Sequence, residues 1–161
     1  MAGLERATSV IGGEGGTYAA DLDPAWEIWG PQGGYLAAVA LRAAGLHSGR
    51  ARPGSISAHF VGAGTSGPIE IGVVTNRETR VATSVSFRVV QRSDRGERTI
   101  LTGSVWGVDD GLPGLEHGLA PPVAPFTPDG LPSIRALLDG DDGPPPPPFW
   151  LNVEPRPLGW I

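Results

Sequence analysis

The chain has 161 residues, a net charge of −5 and no cysteine, and all 12 of its basic residues are arginine. This length accommodates one domain and a tail, and the 40% of hydrophobic residues can supply a core. The acidic balance argues against the basic surface that nonspecific nucleic-acid binding requires, and the missing cysteines exclude disulfides, cysteine metal sites and a cysteine nucleophile.

The first part of the chain predicts one short strand after an irregular start. Residues 1–16 are polar and rich in glycine, and we interpret them as a flexible N-terminus. Residues 17–22 are compatible with a first strand, and Asp23 with Pro24 indicates a turn directly after it. The folded domain is therefore expected to begin at residue 17.

The segment 34–46 predicts a buried helix. Most of its residues are alanine or leucine, which favour helix, and Pro31 suits a turn or a first helical position just before it. Leu36, Val39 and Ala43 recur at helical spacing, yet the other faces are apolar too and only Arg42 is charged. A helix that is apolar nearly all round is normally enclosed by the rest of the protein.

Strand patterns follow the helix without a second helix between them. Residues 93–96 read Ser-Asp-Arg-Gly and supply turn chemistry between the last two strands. A single helix must then cover the apolar face of an antiparallel sheet. We therefore predict an α+β fold in which a curved antiparallel sheet wraps around one long central helix. The predicted strands are 54–61, 69–73, 81–91 and 98–106.

The first strand after the helix alternates apolar and polar residues, which assigns them to opposite faces of the sheet. The domain is expected to end near residue 108, because most of the 17 prolines lie beyond it. Residues 109–148 predict a linker rich in proline and glycine, which does not form helix or central strand. The two predicted faces carry Ile56, Ala58 and Phe60 on one side and Ser55, Ser57 and His59 on the other.

The helix region resembles a known family. Residues 29–44, Trp-Gly-Pro-Gln-Gly-Gly-Tyr-Leu-Ala-Ala-Val-Ala-Leu-Arg-Ala-Ala, resemble the helix opening of the thioesterase-like superfamily, the relatives of acyl-CoA thioesterase II. Residues 55–60, 84–91 and 102–106 are similar to strands of the same proteins. The resemblance implies a hotdog fold for residues 17–108 and acyl-CoA as the substrate.

The tail extends this resemblance. Residues 149–161 look like the start of a second hotdog domain, and proteins of this family commonly contain two copies. The resemblance therefore implies a homodimer or pairing with another hotdog domain. In those relatives the catalytic Asp, Thr and Gln lie mainly in the second copy, so no triad is carried over to this chain.

Four residues at the predicted helix start are candidates for chemistry. The amides of Gly33 and Gly34 can face a thioester carbonyl and stabilise an oxyanion, or the two glycines can simply form a tight turn. Gln32 is a candidate catalytic residue that orients a water molecule or a carbonyl. Tyr35 is a candidate for lining an acyl tunnel, or a core aromatic with its hydroxyl at the rim.

His59 is the candidate general base, because imidazole titrates near neutral pH; the alternative is an ordinary strand histidine. The helix carries no carboxylate, although many single hotdog thioesterases place one there. The acidic residues before the helix either replace this missing carboxylate or cap the start of a helix. The arginines at strand ends either bind the phosphates of CoA or are ordinary surface charges. These acids are Asp21, Asp23 and Glu27, and these arginines are Arg52, Arg77 and Arg80.

The function that follows is hydrolysis of acyl-CoA thioesters to free acid and CoA. The alternative is a non-catalytic hotdog half that binds acyl-CoA or pairs with another hotdog domain, and a hydratase-type hotdog is less favoured because no Asp and His pair suggests it. We expect no cofactor and no metal, because the three histidines lack metal-site spacing. We expect a cytoplasmic protein without membrane or nucleic-acid partners, because no signal peptide or long apolar run is present.

Overall fold

A computed structural model describes residues 3–94, 96–114, 127–137 and 145–157. The helix and strands predicted from the sequence are present, and every strand after the helix is longer than predicted. Short 3₁₀ turns include Pro24–Trp26 and Pro148–Leu151. The other elements are α1 (Leu4–Ala7), β1 (Ile11–Gly12), β2 (Thr17–Leu22), α2 (Gly33–Ser48), β3 (Arg52–Phe60), β4 (Gly67–Glu78), β5 (Ala82–Ser93), β6 (Gly96–Val108) and α3 (Ile134–Leu137).

The described residues form one antiparallel sheet in the order β1-β2-β4-β5-β6-β3. β5 and β6 form its longest hairpin, which pairs Ala82 with Val108 at one end and Ser93 with Gly96 at the other. Gly96 has a φ of 103°, a conformation that glycine adopts without steric cost. The turn predicted at residues 93–96 is therefore confirmed.

Helix α2 packs on one face of this sheet, against β2 to β6. Its inward side consists mainly of small residues, so the helix approaches the strands closely. The opposing strand residues Ile71, Val85 and Leu101 are fully buried beneath it. The predicted arrangement of an antiparallel sheet around one helix is confirmed. The buried helix residues are Tyr35, Leu36, Val39, Ala40, Ala43 and Ala44.

The sheet covers one side of α2, whereas the sequence predicts an enclosed helix. Arg42 is exposed, Leu46 is 62% exposed, and Ala37 and Leu41 are half-buried. Within the described residues the sheet ends at β3, so it does not reach round to this flank. The open helix flank, defined by Ala37, Leu41 and Leu46, is an apolar surface beside β3.

Residues 4–12 belong to the segment that the sequence analysis assigns to a flexible N-terminus. In the structure they form α1 and β1, and β1 pairs with β2. Ala7 is 7% exposed and Thr8 is 2% exposed, so this segment closes one part of the core. A helix of one turn and a strand of two residues leave no periodic pattern, so neither element could be predicted from the sequence.

The described parts of the C-terminal region pack together. Arg156 donates a hydrogen bond to the carbonyl of Leu131 at 2.7 Å, and the amide of Ile134 donates to the carbonyl of Pro155 at 2.9 Å. The predicted start of a second domain at 149–161 reaches beyond the described residues at 158. Its described part begins within the 3₁₀ turn Pro148–Leu151, which contacts the loop before α2.

Candidate active site at the amino end of α2

The loop between β2 and α2 is held by its own hydrogen bonds. The Asp23 carboxylate accepts from the amide of Ala25 at 2.9 Å and so caps the turn Pro24–Trp26. The amide of Gln32 donates to the carbonyl of Trp26 at 3.0 Å. These contacts define where the chain enters the helix.

Gln32 is the N-cap of α2. Its side-chain Oε1 accepts from the amide of Tyr35 at 2.9 Å, and its carbonyl accepts from the amide of Leu36 at 3.0 Å. The first amides of a helix have no intrahelical acceptor. Within the described residues, no hydrogen bond uses the amide of Gly33 or Gly34, so both remain available at the positive end of the helix dipole. The capping bond occupies Oε1 of Gln32, the residue predicted from the sequence to orient a water molecule or a carbonyl.

Both glycines have close neighbours. A Cβ at Gly33 would lie 3.1 Å from Cζ of Phe60, and a Cβ at Gly34 would lie 3.0 Å from Oε1 of Gln32. A side chain at Gly33 would therefore fill the space between the helix start and the Phe60 ring. A side chain at Gly34 would press on the capping oxygen. Phe60, which the sequence analysis placed only on an apolar strand face, thus belongs to the surroundings of the helix start.

Tyr35 is part of the core. Its ring stacks on Trp26 with centroids 5.5 Å apart, and the residue is 3% exposed. Its hydroxyl donates to the carbonyl of Ala7 at 2.8 Å and accepts from the amide of Asp23 at 3.0 Å. Burial raises the pKa of this phenol, and the nearby carboxylates add to that rise, while the hydrogen bond from the Asp23 amide lowers it. The geometry matches the core alternative, with the hydroxyl fully engaged by backbone groups.

His59 lies away from the helix start. In the pairing of β3 with β6 it opposes Thr102, whereas Phe60 opposes the buried Leu101. Because side chains alternate along a strand, the exposed His59 lies on the outer face of the sheet and Phe60 on the helix face. The structure therefore does not bring the imidazole together with Gly33. A catalytic role for His59 remains a prediction from the sequence.

The acids before the helix have local partners or lie at the surface. Asp23 caps the turn described above, and one oxygen of Glu27 accepts from the amide of Ser66 at 3.1 Å and from its hydroxyl. Asp21 is exposed on β2. For Asp23 and Glu27 the capping alternative in the sequence analysis fits these contacts.

The three candidate arginines are exposed and lie at or near strand ends. Arg52 is 68% exposed and pairs with Asp110 at 3.4 Å, while Arg77 and Arg80 are exposed near the end of β4. Arg50, which the sequence analysis did not single out, is the more firmly held arginine, with a side chain 12% exposed. Its partners are hydroxyl, carbonyl and carboxylate oxygens of the protein itself.

An apolar surface extends from the helix start along β3. Ile56 and Phe60 point to the helix side of the sheet and are 40% and 57% exposed. Ala58 lies between them and is half-buried. Together with the open helix flank they form an apolar strip that ends at Gly33. Along the strand, Ile56 and Phe60 are about 13 Å apart.

Two cavities of about 360 and 500 Å³ lie elsewhere, along β1 and β2, and neither is lined by Gln32, Gly33 or Phe60. At the candidate site itself, Gly34 and Phe60 are exposed. Over the described residues, no group of three histidine or acidic side chains converges as a metal site would require. None of the helices in this part of the chain is both long and apolar enough to cross a bilayer.

Comparison with known proteins identifies similar chains. The family described as the acyl-CoA thioesterase N-terminal domain matches residues 22–108. A crystal structure of a putative thioesterase II from Thermobifida fusca is 30% identical, with a TM-score of 0.72, over 81% of this chain and 48% of that one. None of the curated protein sequences matches this chain.

Two further structures share the fold. A hot dog protein of unknown function from Alicyclobacillus acidocaldarius is 20% identical, with a TM-score of 0.69, over 91% of this chain and 51% of that one. A protein from Bacillus halodurans, solved with CoA, is 15% identical, with a TM-score of 0.53, over 63% of this chain and 71% of that one. The chain spans about half the length of the Thermobifida and Alicyclobacillus proteins.

Proposed function

This chain belongs to the acyl-CoA thioesterase N-terminal domain family, and we propose that it acts on acyl-CoA thioesters, releasing a free acid and CoA. The observation that carries the proposal is the pair of available amides at Gly33 and Gly34. They lie at the start of a helix that packs against the sheet and next to an apolar strip. A cytoplasmic location is part of the same proposal.

The proposed reaction is hydrolysis at the start of α2. A water oxygen forms a bond to the thioester carbonyl carbon, and negative charge develops on the carbonyl oxygen. The amides of Gly33 and Gly34 donate to this oxyanion, where the helix dipole also favours negative charge. The carbon–sulfur bond then breaks, and the CoA sulfur takes a proton. The attacking water gives up the proton that the CoA sulfur takes, so the step balances without the imidazole of His59 on the outer face.

The apolar strip supports acyl binding. An alkyl chain placed beside Ile56, Ala58 and Phe60 would remove their exposed surface from water, which is worth roughly 25 cal/mol per Å². Phe60 would then contact the first carbons of the acyl group, because its ring is close to Gly33. CoA would extend outward, since Gly34 and Phe60 at this end of the helix are exposed. The structure from Bacillus halodurans that contains CoA supports CoA as the class of ligand for this fold.

Release of free CoA from a panel of acyl-CoAs tests the proposal. Gly33→Ala places a methyl group against Phe60 and in the path to the amides, so we expect turnover to fall about 10- to 100-fold. Gly45→Ala is the matched control in the same helix, because nothing lies within 4 Å of its added Cβ. This control should keep full turnover and gain about 0.5–1 kcal/mol of stability. Equal turnover in both variants would exclude the amides as the oxyanion donors.

A second candidate function is a non-catalytic hotdog half that binds acyl-CoA. Two observations favour it: α2 carries no carboxylate, and the candidate base His59 is on the far side of the sheet. This function predicts binding of an acyl-CoA in calorimetry without release of CoA. Turnover above the buffer rate would reject it in favour of hydrolysis.

We further propose that β3 and the open helix flank pair with another hotdog domain, either a second copy of this chain or a separate domain. Two observations support this partner. Ile56 and Phe60 remain 40% and 57% exposed although they point to the helix side. The chain also spans about half the length of the thioesterase II structure it resembles. An uncovered sheet edge favours pairing with another strand.

A further inference from the structure

The 3₁₀ turn Pro148–Leu151 is attached to the loop before α2 by directed contacts. The amide of Phe149 donates to the carbonyl of Glu27 at 3.0 Å, and Asn152 Nδ2 donates to the carbonyl of Ala25 at 2.6 Å. The ring of Phe149 meets Trp26 edge-on, with centroids 6.0 Å apart. The turn thus contacts the residue before Trp26, the residue after it and its indole.

These contacts involve Trp26, which also supports the start of α2. The carbonyl of Trp26 accepts from the amide of Gln32, which caps α2, and its indole stacks on Tyr35 in the first turn. Trp26 is 6% exposed and packs in the core, and Phe149 is half-buried against the same cluster. A displacement of Trp26 would therefore be transmitted to the cap and to the first turn.

We propose that Phe149 and Asn152 are positioning residues for the active site. They act through Trp26, holding the loop so that Gln32 caps α2 and the amides of Gly33 and Gly34 point in a fixed direction. The catalytic part of this inference rests on the proposed function. The structural part, that the turn sets the order of the helix start, is independent of any reaction.

The composition of the turn favours this role over general core packing. Trp150 and Leu151 are 41% and 51% exposed, so much of the apolar surface of the turn faces solvent. Its attachment depends on one ring and two hydrogen bonds. Loss of an aromatic pair or of one hydrogen bond should loosen the attached loop while the sheet keeps its own stability.

Amide hydrogen exchange of the full chain without substrate tests the structural part. In Phe149→Ala and in Asn152→Asp, which removes the donor while preserving shape, the amides of Gln32 and Tyr35 should exchange roughly three- to tenfold faster. Leu151→Ser is the matched control on the same turn and should leave them unchanged. The central strand amides report whether a variant folds. If Phe149→Ala does not fold, Asn152→Asp decides.

Kinetics test the catalytic part. Because the proposed oxyanion contacts form in the transition state, Asn152→Asp should lower kcat roughly three- to tenfold with little change in KM. Phe149→Tyr, which keeps the ring, should restore the kcat that Phe149→Ala loses. Exchange rates at Gln32 and Tyr35 that match Leu151→Ser would overturn the inference. Faster exchange in a protein without turnover would leave the positioning role standing and reject the proposed function instead.

Discussion

Arg50 attaches the carboxyl end of α2 to the ends of β4, β5 and β6. Its guanidinium is largely buried and takes part in several charge-assisted hydrogen bonds, which are stronger than neutral ones. The sequence analysis did not identify it, because a lone arginine after a glycine carries no pattern. Its acceptors are Thr83 Oγ1 at 2.9 Å, Asp109 Oδ1 at 2.8 Å and the carbonyl of Thr79 at 2.6 Å.

Arg50→Ala should lower the free energy of unfolding by about 1–3 kcal/mol, because it removes the donor to the buried Thr83 hydroxyl and to the partly exposed Asp109 carboxylate. Arg50→Lys should recover only part of this loss, since an ammonium group cannot reproduce the planar fork. Urea unfolding measures both. Arg52→Ala is the control, because its ion pair with Asp110 is exposed and worth about 1 kcal/mol or less. Equal losses for the two alanine variants would contradict this account of Arg50.

Tyr35 should make stability depend on alkaline pH. Its folded pKa lies above the unfolded value of 10.0, so its contribution is complete below pH 10 and is lost as pH rises through the folded pKa. Tyr35→Phe removes this titration and also two hydrogen bonds, at a cost of about 1–3 kcal/mol. Urea unfolding at about pH 8 and about pH 11 should show a shallower decline for Tyr35→Phe than for the natural chain. Parallel declines would argue against a raised pKa.

Strand β3 shows which parts of an element its sequence can predict. Alternation correctly separated Ile56, Ala58 and Phe60 from His59, because a strand has only two faces. It did not tell which face meets the helix start, and the candidate role for His59 depended on that. Gln32 shows the same limit: an amide side chain before a helix suits a cap as well as a catalytic group.

The edge position of β3 leads to a prediction about association. Ile56→Asp places a charge on the proposed pairing surface and should shift the chain toward monomer in sedimentation velocity. Val74→Asp is the matched control, because Val74 is 64% exposed on β4, which has neighbours on both sides. The control should associate like the natural chain. A natural chain that is monomeric at all concentrations would reject pairing with a second copy of this chain and leave a separate hotdog domain as the partner.

For the molecule as a whole, the fold class followed from the sequence but the sheet order did not. Helix periodicity and strand alternation are local, whereas the placement of β3 next to β6 depends on contacts between distant residues. For the same reason the contact between Phe149 and Trp26 could not be predicted, because the two residues are far apart in the sequence. Gly33 and Gly34 lie at the start of α2, as the sequence predicts, and their role in a site stays a prediction.

Because the inward side of α2 consists of small residues, the helix side and the sheet side of the core respond differently to substitution. Ala40, Ala43 and Ala44 have no side chain left to shorten, so evolution can change these positions almost only by enlargement, which a close-packed interior resists. Opposite them, Ile71 and Leu101 are sensitive to truncation instead. Substitutions that enlarge or shorten a side chain are therefore tolerated best on the β3 side, where Ile56 and Phe60 are exposed.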